Sequence, residues 1–222
     1  MMMNIFNIFD PSTSMNFSLN WLSLMIIFFL FSYQYWFIPS RNNFLWIYIL
    51  NYLFKEFKIL LKTSLSNLII FLTLFTYILL NNFLGLFPYI FTASSHMSFC
   101  LTLSLNLWMS IMLYFWLNFY NLMFCHLVPS FTPFFLMPFM VLIELISLMI
   151  RPITLSIRLT ANMIAGHLLL SLLGSSGNLI NSYYLMIIMM SIQILLYILE
   201  ISVSLIQAYV FSILSLLYSS EI

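Results

Sequence analysis

Charge is what this chain has least of. Six basic and five acidic residues stand among 222, so 5% of the chain is charged and the net charge is +1. Soluble domains carry about 25% charged residues, and so sparse a set cannot cover a globule of this size. With no clustered Lys and Arg to follow a phosphate backbone, nucleic acid is excluded as a partner. Two cysteines, Cys100 and Cys125, leave neither a disulfide framework nor a thiolate metal motif. The three histidines, His96, His126 and His167, never share a helix face at ligand spacing, which argues against haem; no cofactor and no metal are expected. Residues 1–16 hold no Lys or Arg and include Asp10, so no cleavable targeting segment is expected. Glycine, alanine and valine are also scarce, at four each, beside 24 Phe, 16 Met and 13 Tyr. Bilayer physics does not require that bias, since all three scarce types suit membranes. We read it as codon pressure from an AT-rich genome such as an organelle's.

What the chain has instead is long apolar runs. A crossing needs about 20 apolar residues to pass about 30 Å of hydrocarbon. Residues 17–38 form the first predicted span, with Trp21, Tyr33, Tyr35 and Trp36 as interfacial anchors and Pro39 as its stop. Over 43–62, Asn51, Lys55, Lys58 and Lys62 make one polar stripe on an otherwise apolar helix, the pattern of a helix lying in the interface. Spans follow over 66–90 and 98–119, then a link with Pro129, Pro133 and Pro138. Two longer stretches close the chain, 134–172 and 179–219, joined through Gly174-Ser175-Ser176-Gly177-Asn178. Each would be about 60 Å long as a helix, twice the hydrocarbon thickness, so a tilt is expected, with a bend at Pro152.

The expected fold is therefore an all-α integral membrane protein forming one membrane domain over 1–222. It has one vertical N-terminal span, an interfacial amphipathic helix, a two-helix pair and a long, strongly tilted C-terminal helical hairpin. Arg41, Lys55, Lys58 and Lys62 fall together between the first two spans, so the positive-inside rule puts that segment on the matrix or cytoplasmic side. Five crossings then leave the N-terminus outside and the C-terminus inside.

Glu144, Arg151, Arg158 and Glu200 lie inside the hairpin's apolar stretches. Each costs about 2.5–3.5 kcal/mol at the centre of a span, and intramembrane charges mark function unless they merely pair. Glu144, Arg151 and Arg158 recur every seven residues on one helix face, with Asn162 one turn further; Tyr197, Glu200, Ser204 and Gln207 make a matching stripe on the second helix. His167 lies about 180° around from Arg158. Matched polar stripes on two apolar helices suggest a water or proton path. Arg keeps its proton in proteins, so Arg158 can gate or act as counter-ion but cannot relay. Glu200 and His167 can gain and lose protons and are the candidate relays.

The segment Ser156-Ile157-Arg158-Leu159-Thr160-Ala161-Asn162-Met163-Ile164-Ala165-Gly166-His167 resembles the signature of subunit a of the F-type ATP synthase in its mitochondrial form. Glu200 to Val210 resembles that family's last helix, Asn82 to Tyr89 a third family segment, and Phe9-Asp10-Pro11 the start of animal members. The likeness runs over essentially the whole chain. It implies a non-catalytic subunit of the mitochondrial inner membrane, with its N-terminus toward the intermembrane space and its C-terminus in the matrix. The implied partners are the rotating c-ring, the peripheral stalk (subunit b), other membrane-sector subunits, lipid and protons. Two offset aqueous half-channels would lead protons to and from the ring's carboxylates. Arg158 would correspond to the essential arginine, while Glu200, His167, Gln207, Asn162 and Glu144 fall on the family's polar channel positions. Bacterial relatives carry the imidazole and carboxylate of His167 and Glu200 in swapped order.

Two hairpin registers are possible. A tight turn centred on Ser175–Ser176 would oppose Arg151 with Glu200, Arg158 with Gln193 and Glu144 with Gln207. A looser connection through Tyr183 would pair Arg158 with Gln207 and His167 with Glu200, and the family's pattern favours it. His96 reads as a solvated loop residue, His126 as interfacial, the Met186–Met190 run as packing or codon bias rather than a metal site, and Gly166 and Gly174 as points of close helix approach. The competing functions are a membrane subunit of a respiratory redox complex and a purely structural anchor.

Overall fold

In hydrocarbon each backbone N–H and C=O must be satisfied within its own segment, so apolar runs of this length fold as helices. The computed structural model describes residues 5–14, 17–30, 34–61, 65–128, 132–177 and 182–220. Seven α-helices form among them: α1 (Ser23–Leu30), α2 (Arg41–Leu60), α3 (Leu65–Gly85), α4 (Met97–Asn118), α5 (Tyr120–His126), α6 (Met137–Gly177) and α7 (Tyr183–Ser220). Single 3-10 turns occupy Ile5–Phe9, Leu19–Leu22, Ala93–Ser95 and Phe134–Leu136. No strand forms among the described residues beyond an isolated bridge between Ser14 and Phe17. Among the described residues four helical stretches are long and apolar enough to cross a membrane: α3 from Asn67, α4, α6 with its preceding turn, and α7.

The breakers act where their chemistry demands. Ser40 caps α2, its Oγ accepting from the Asn43 N–H at 3.4 Å. Gly85 ends α3, and beyond Pro88 the chain turns through Tyr89 at φ 69°. Pro138 sits in the first turn of α6, where its missing N–H removes no helical bond. Pro152 does not interrupt α6, which runs on through Gly174, Ser175 and Ser176 to Gly177. The link expected at 174–178 is thus helical as far as it is described, and Asn178 lies outside the described residues.

The first predicted span differs most. Among the described residues of that span, helix covers Leu19–Leu30, about 20 Å in length. Residues 34–38 are bent and extended. Ile38 precedes Pro39, which disfavours helix there, and the Gln34 amide donates to the Phe37 carbonyl at 3.4 Å, a local alternative to helical bonding. Tyr33, Lys62 and Pro129 lie outside the described residues.

Packing sets the directions. Leu68 and Phe71 of α3 cluster with Leu216 of α7 and with Phe57 and Leu61 of the α2 segment. Leu74, Phe75 and Ile78 further along α3 meet Ala208 and Phe211 instead, with Leu53, Cys100, Leu155 and Leu159. Position rises along α3 as it falls along α7, so the two are antiparallel. α7 buries a row at intervals of four, Glu200, Ser204, Ala208, Ser212 and Leu216. Its small members let the helices approach closely, and the hydroxyls of Ser204 and Ser212 donate to carbonyls one turn back, at 2.8 and 2.9 Å. Trp21 rests against Phe91 and His96, at the end of the bundle where α3 passes to α4. Leu61 packs at the other end, against Leu68 and Leu216.

Candidate functional site

Along α6 the predicted residues divide between the two ends of the bundle. Glu144 and Arg151 are half-buried and, with Ser104, Ser215 and Tyr218, line a cavity of about 300 Å³ between α4, α6 and α7. Met123 of α5 and Leu127 just beyond it also line it. The Arg151 guanidinium lies over the Tyr218 ring, 5.0 Å from its centroid, a cation–π contact that holds a charge in a largely apolar wall. Seven residues on, Arg158 is exposed on the outside of the helix pair and has no ion-pair partner among the described residues. Asn162, one turn further, is half-buried.

The second cluster lies beyond Arg158, toward the α3–α4 connection. Thr160 Oγ1 donates to Met97 Sδ at 3.7 Å, which sets this part of α6 beside the start of α4. Glu200 is 7% exposed, and its carboxyl lies against the bare Cα of Gly166: a methyl group there would stand 2.7 Å from Oε1. Oε2 is buried with no hydrogen-bond partner. His167, the next residue, buries an equally unpartnered Nε2 and receives the Phe9 ring at 87°, centroids 6.5 Å apart. A buried polar atom without a partner costs free energy, so such a concentration is not explained by packing.

These contacts decide the hairpin register. Glu200 faces Gly166, and Gln193 Nε2 lies 3.9 Å from where a methyl on Gly174 would stand. Both fit the looser connection, which sets half-buried Gln207 level with Arg158. The tight turn is overturned, since Arg151 meets Tyr218 rather than Glu200.

Several polar groups escaped the sequence reading. Asn82 is fully buried with both amide atoms unpartnered, and Asn81 Nδ2 and Ser94 Oγ are likewise buried and unpaired. The α3–α7 register carries the two asparagines to the level of Glu200 and Ser204. Asn81 and Asn82 lie within the span expected over 66–90, and two adjacent amides inside an apolar run were the available signal. His96 is not a solvated loop residue: its ring lies 5.1 Å from both Trp21 and Phe91, and its Nε2 is buried without a partner. The short turn Ala93–Ser95 tucks inward and draws it under those rings. The side chain of His126 lies outside the described residues.

Comparison with known proteins gives the chain a family. A family model described as ATP synthase A chain matches residues 15–220. The chain is 54% identical to ATP synthase subunit a of Anopheles gambiae over 225 residues, 55% identical to that of Drosophila melanogaster over 224, and 52% identical to that of Aedes aegypti over 225, each alignment covering the whole of both chains. With its two polar clusters on a long helical hairpin and a match over nearly its full length, the chain belongs to the ATP synthase subunit a family.

Proposed function

We propose that this chain is the proton-conducting stator subunit of an ATP synthase membrane sector, a multi-pass protein of the mitochondrial inner membrane that makes and breaks no covalent bonds itself. The family match leaves the respiratory redox reading without support. The observation that carries the mechanism is the position of exposed Arg158 between two polar clusters at opposite ends of α6. Glu144 lies about 21 Å along the helix in one direction and His167 about 13 Å in the other.

In this reading Glu200, His167 and Asn162, with Asn82 nearby, line the half-channel open to the intermembrane space. The cavity beside Glu144 is the half-channel open to the matrix. Basic α2, with exposed Arg41, Lys55 and Lys58, faces the matrix by the positive-inside rule; the N-terminus then lies in the intermembrane space and the C-terminus in the matrix. The exposed face of Arg158 meets a ring of c subunits, and subunit b and other membrane-sector subunits hold the chain still. A permanently charged guanidinium attracts each passing carboxylate in its ionised form and repels protons moving straight from one cluster to the other. Gln207 sits level with it and limits its travel. Protons therefore cross only by riding the ring.

The test is ATP synthesis and passive proton flux in vesicles holding the assembled complex, with Arg158→Ala against wild type. Loss of synthesis with a raised passive leak is the expected result. Synthesis at the wild-type rate would end the gate assignment, and lost synthesis without any leak would end the role as a seal.

A further inference from the structure

Both histidines at the outer end of the bundle are covered by a ring from the N-terminal segment. Phe9 sets its ring edge-on to His167, and Trp21 lies 5.1 Å from His96 and 5.4 Å from Phe91. In each histidine Nε2 is buried and unpartnered. Phe9 is tucked in while its neighbours Phe6 and Ile8 stand 68% and 48% exposed, so the contact is particular to that side chain. The stretch between the two rings is folded on itself. Asp10 Oδ1 accepts from the N–H and the hydroxyl of Ser12 at 3.0 and 2.8 Å, Asn20 Nδ2 donates to the Asp10 carbonyl at 3.2 Å, and Thr13 Oγ1 donates to the Phe17 carbonyl at 2.9 Å. These bonds gather Asp10, Ser12, Thr13, Phe17 and Asn20 into one compact turn.

We propose that Phe9 is a positioning residue for His167, seating the imidazole with Nε2 turned inward and shielding it from the outer aqueous face. The inference rests on the reading of His167 as a relay. A relay between bulk water and a buried carboxyl works when its inner nitrogen faces the acceptor rather than bulk solvent. The ring supplies that bias with no hydrogen bond that would trap the proton. Trp21 seats His96 in the same manner but independently.

Diethyl pyrocarbonate, which acylates an accessible neutral imidazole nitrogen, is applied to the assembled complex in vesicles, and peptides bearing His167 and His96 are quantified separately by mass spectrometry. Phe9→Ala is expected to raise the rate at His167 about two- to tenfold, as loss of one aromatic contact implies, and to leave His96 unchanged. Trp21→Ala is expected to do the reverse. Phe9→Leu, which keeps an apolar anchor without the ring, moves His167 in the same direction and serves if the alanine variant does not assemble. An unchanged His167 rate in the Phe9 variants overturns the proposal, as does equal acceleration of both histidines by either substitution. Proton flux in His167→Ala tests the relay separately: undiminished flux there overturns the relay while the labelling result stands on its own.

Discussion

At Gly166 the missing side chain lets the Glu200 carboxyl lie directly against α6, because a methyl group would stand 2.7 Å from Oε1 and 3.0 Å from the carboxyl carbon. The crowded atoms belong to the end of a flexible side chain, so Gly166→Ala should fold and assemble while pushing the carboxyl aside. A misplacement near 1 Å costs a reacting group up to about a hundredfold in rate, and proton-driven synthesis should fall by a comparable factor with the subunit still present in the purified complex. Gly174→Ala is the contrast: the nearest atom is Gln193 Nε2 at 3.9 Å, synthesis should be unchanged, and thermal stability should hold or rise by up to about 1 kcal/mol from helix propensity. A full loss of synthesis in both variants would remove the special status of Gly166. At this scale the ionisable groups were legible, because Glu144, Arg158 and Glu200 stand out in apolar sequence. The groups that stood out least were Asn82, His96 and Phe9. Asn82 is buried within a helix that is apolar nearly all round, His96 is covered by Trp21 and Phe91 after a turn whose inward tuck follows no sequence period, and Phe9 acts through a contact some 158 residues away in the chain.

The helices were largely written in the apolar runs, and their ends were less so. α3, α4 and α7 fall close to the predicted spans. α6 outruns its predicted end because Ser175, Ser176 and Gly177 look like a turn in sequence yet continue a helix anchored over 41 residues. There the Ser175 and Ser176 hydroxyls donate to carbonyls one turn back at 2.8 Å, which suits an unbroken helix. α2 was read from its lysines, and Glu56 was passed over, although Tyr209 of α7 donates to Glu56 Oε2 at 3.2 Å and ties the two helices together. The N-terminal turn was not legible, since its bonds depend on Asp10, Ser12 and Asn20 meeting. Ser12 holds the Asp10 carboxyl below the ordinary carboxylate range through its N–H and its hydroxyl. A depressed value means that the turn's stabilisation is present above the ordinary carboxylate value and lost as pH falls through the lowered one. At neutral pH, then, Asp10→Ala should speed hydrogen–deuterium exchange at the Ser12 amide and its neighbours, with exchange in α6 unaltered. Equal exchange in the variant and wild type would show that the turn is held by something other than this carboxyl.

For the whole molecule the argument turns on which end of the bundle each cluster occupies. α4 and α6 are antiparallel: Met97 meets Thr160 at one end, while Ser104, Phe115 and Glu144 share the cavity wall toward the other. The bundle therefore has a polar nest at the α3–α4 connection and, toward α5, a largely apolar cavity that holds Glu144 and Arg151. A barrier is needed between them, because a continuous polar line would dissipate the gradient, and the apolar layer of Leu155, Leu159, Ala208 and Phe211 lies in the intervening stretch. Two cysteine probes follow from this, in a background where Cys100 and Cys125 are replaced by serine. Ser215→Cys, on the cavity wall, should react with a membrane-impermeant thiol reagent applied from the side that carries Arg41 and Lys55. Ser94→Cys, in the nest, should react only from the opposite side. Labelling of both positions from one face would mean that the clusters belong to a single vestibule and that Arg158 separates nothing. Labelling of the two positions from opposite faces is the result that two offset half-channels require.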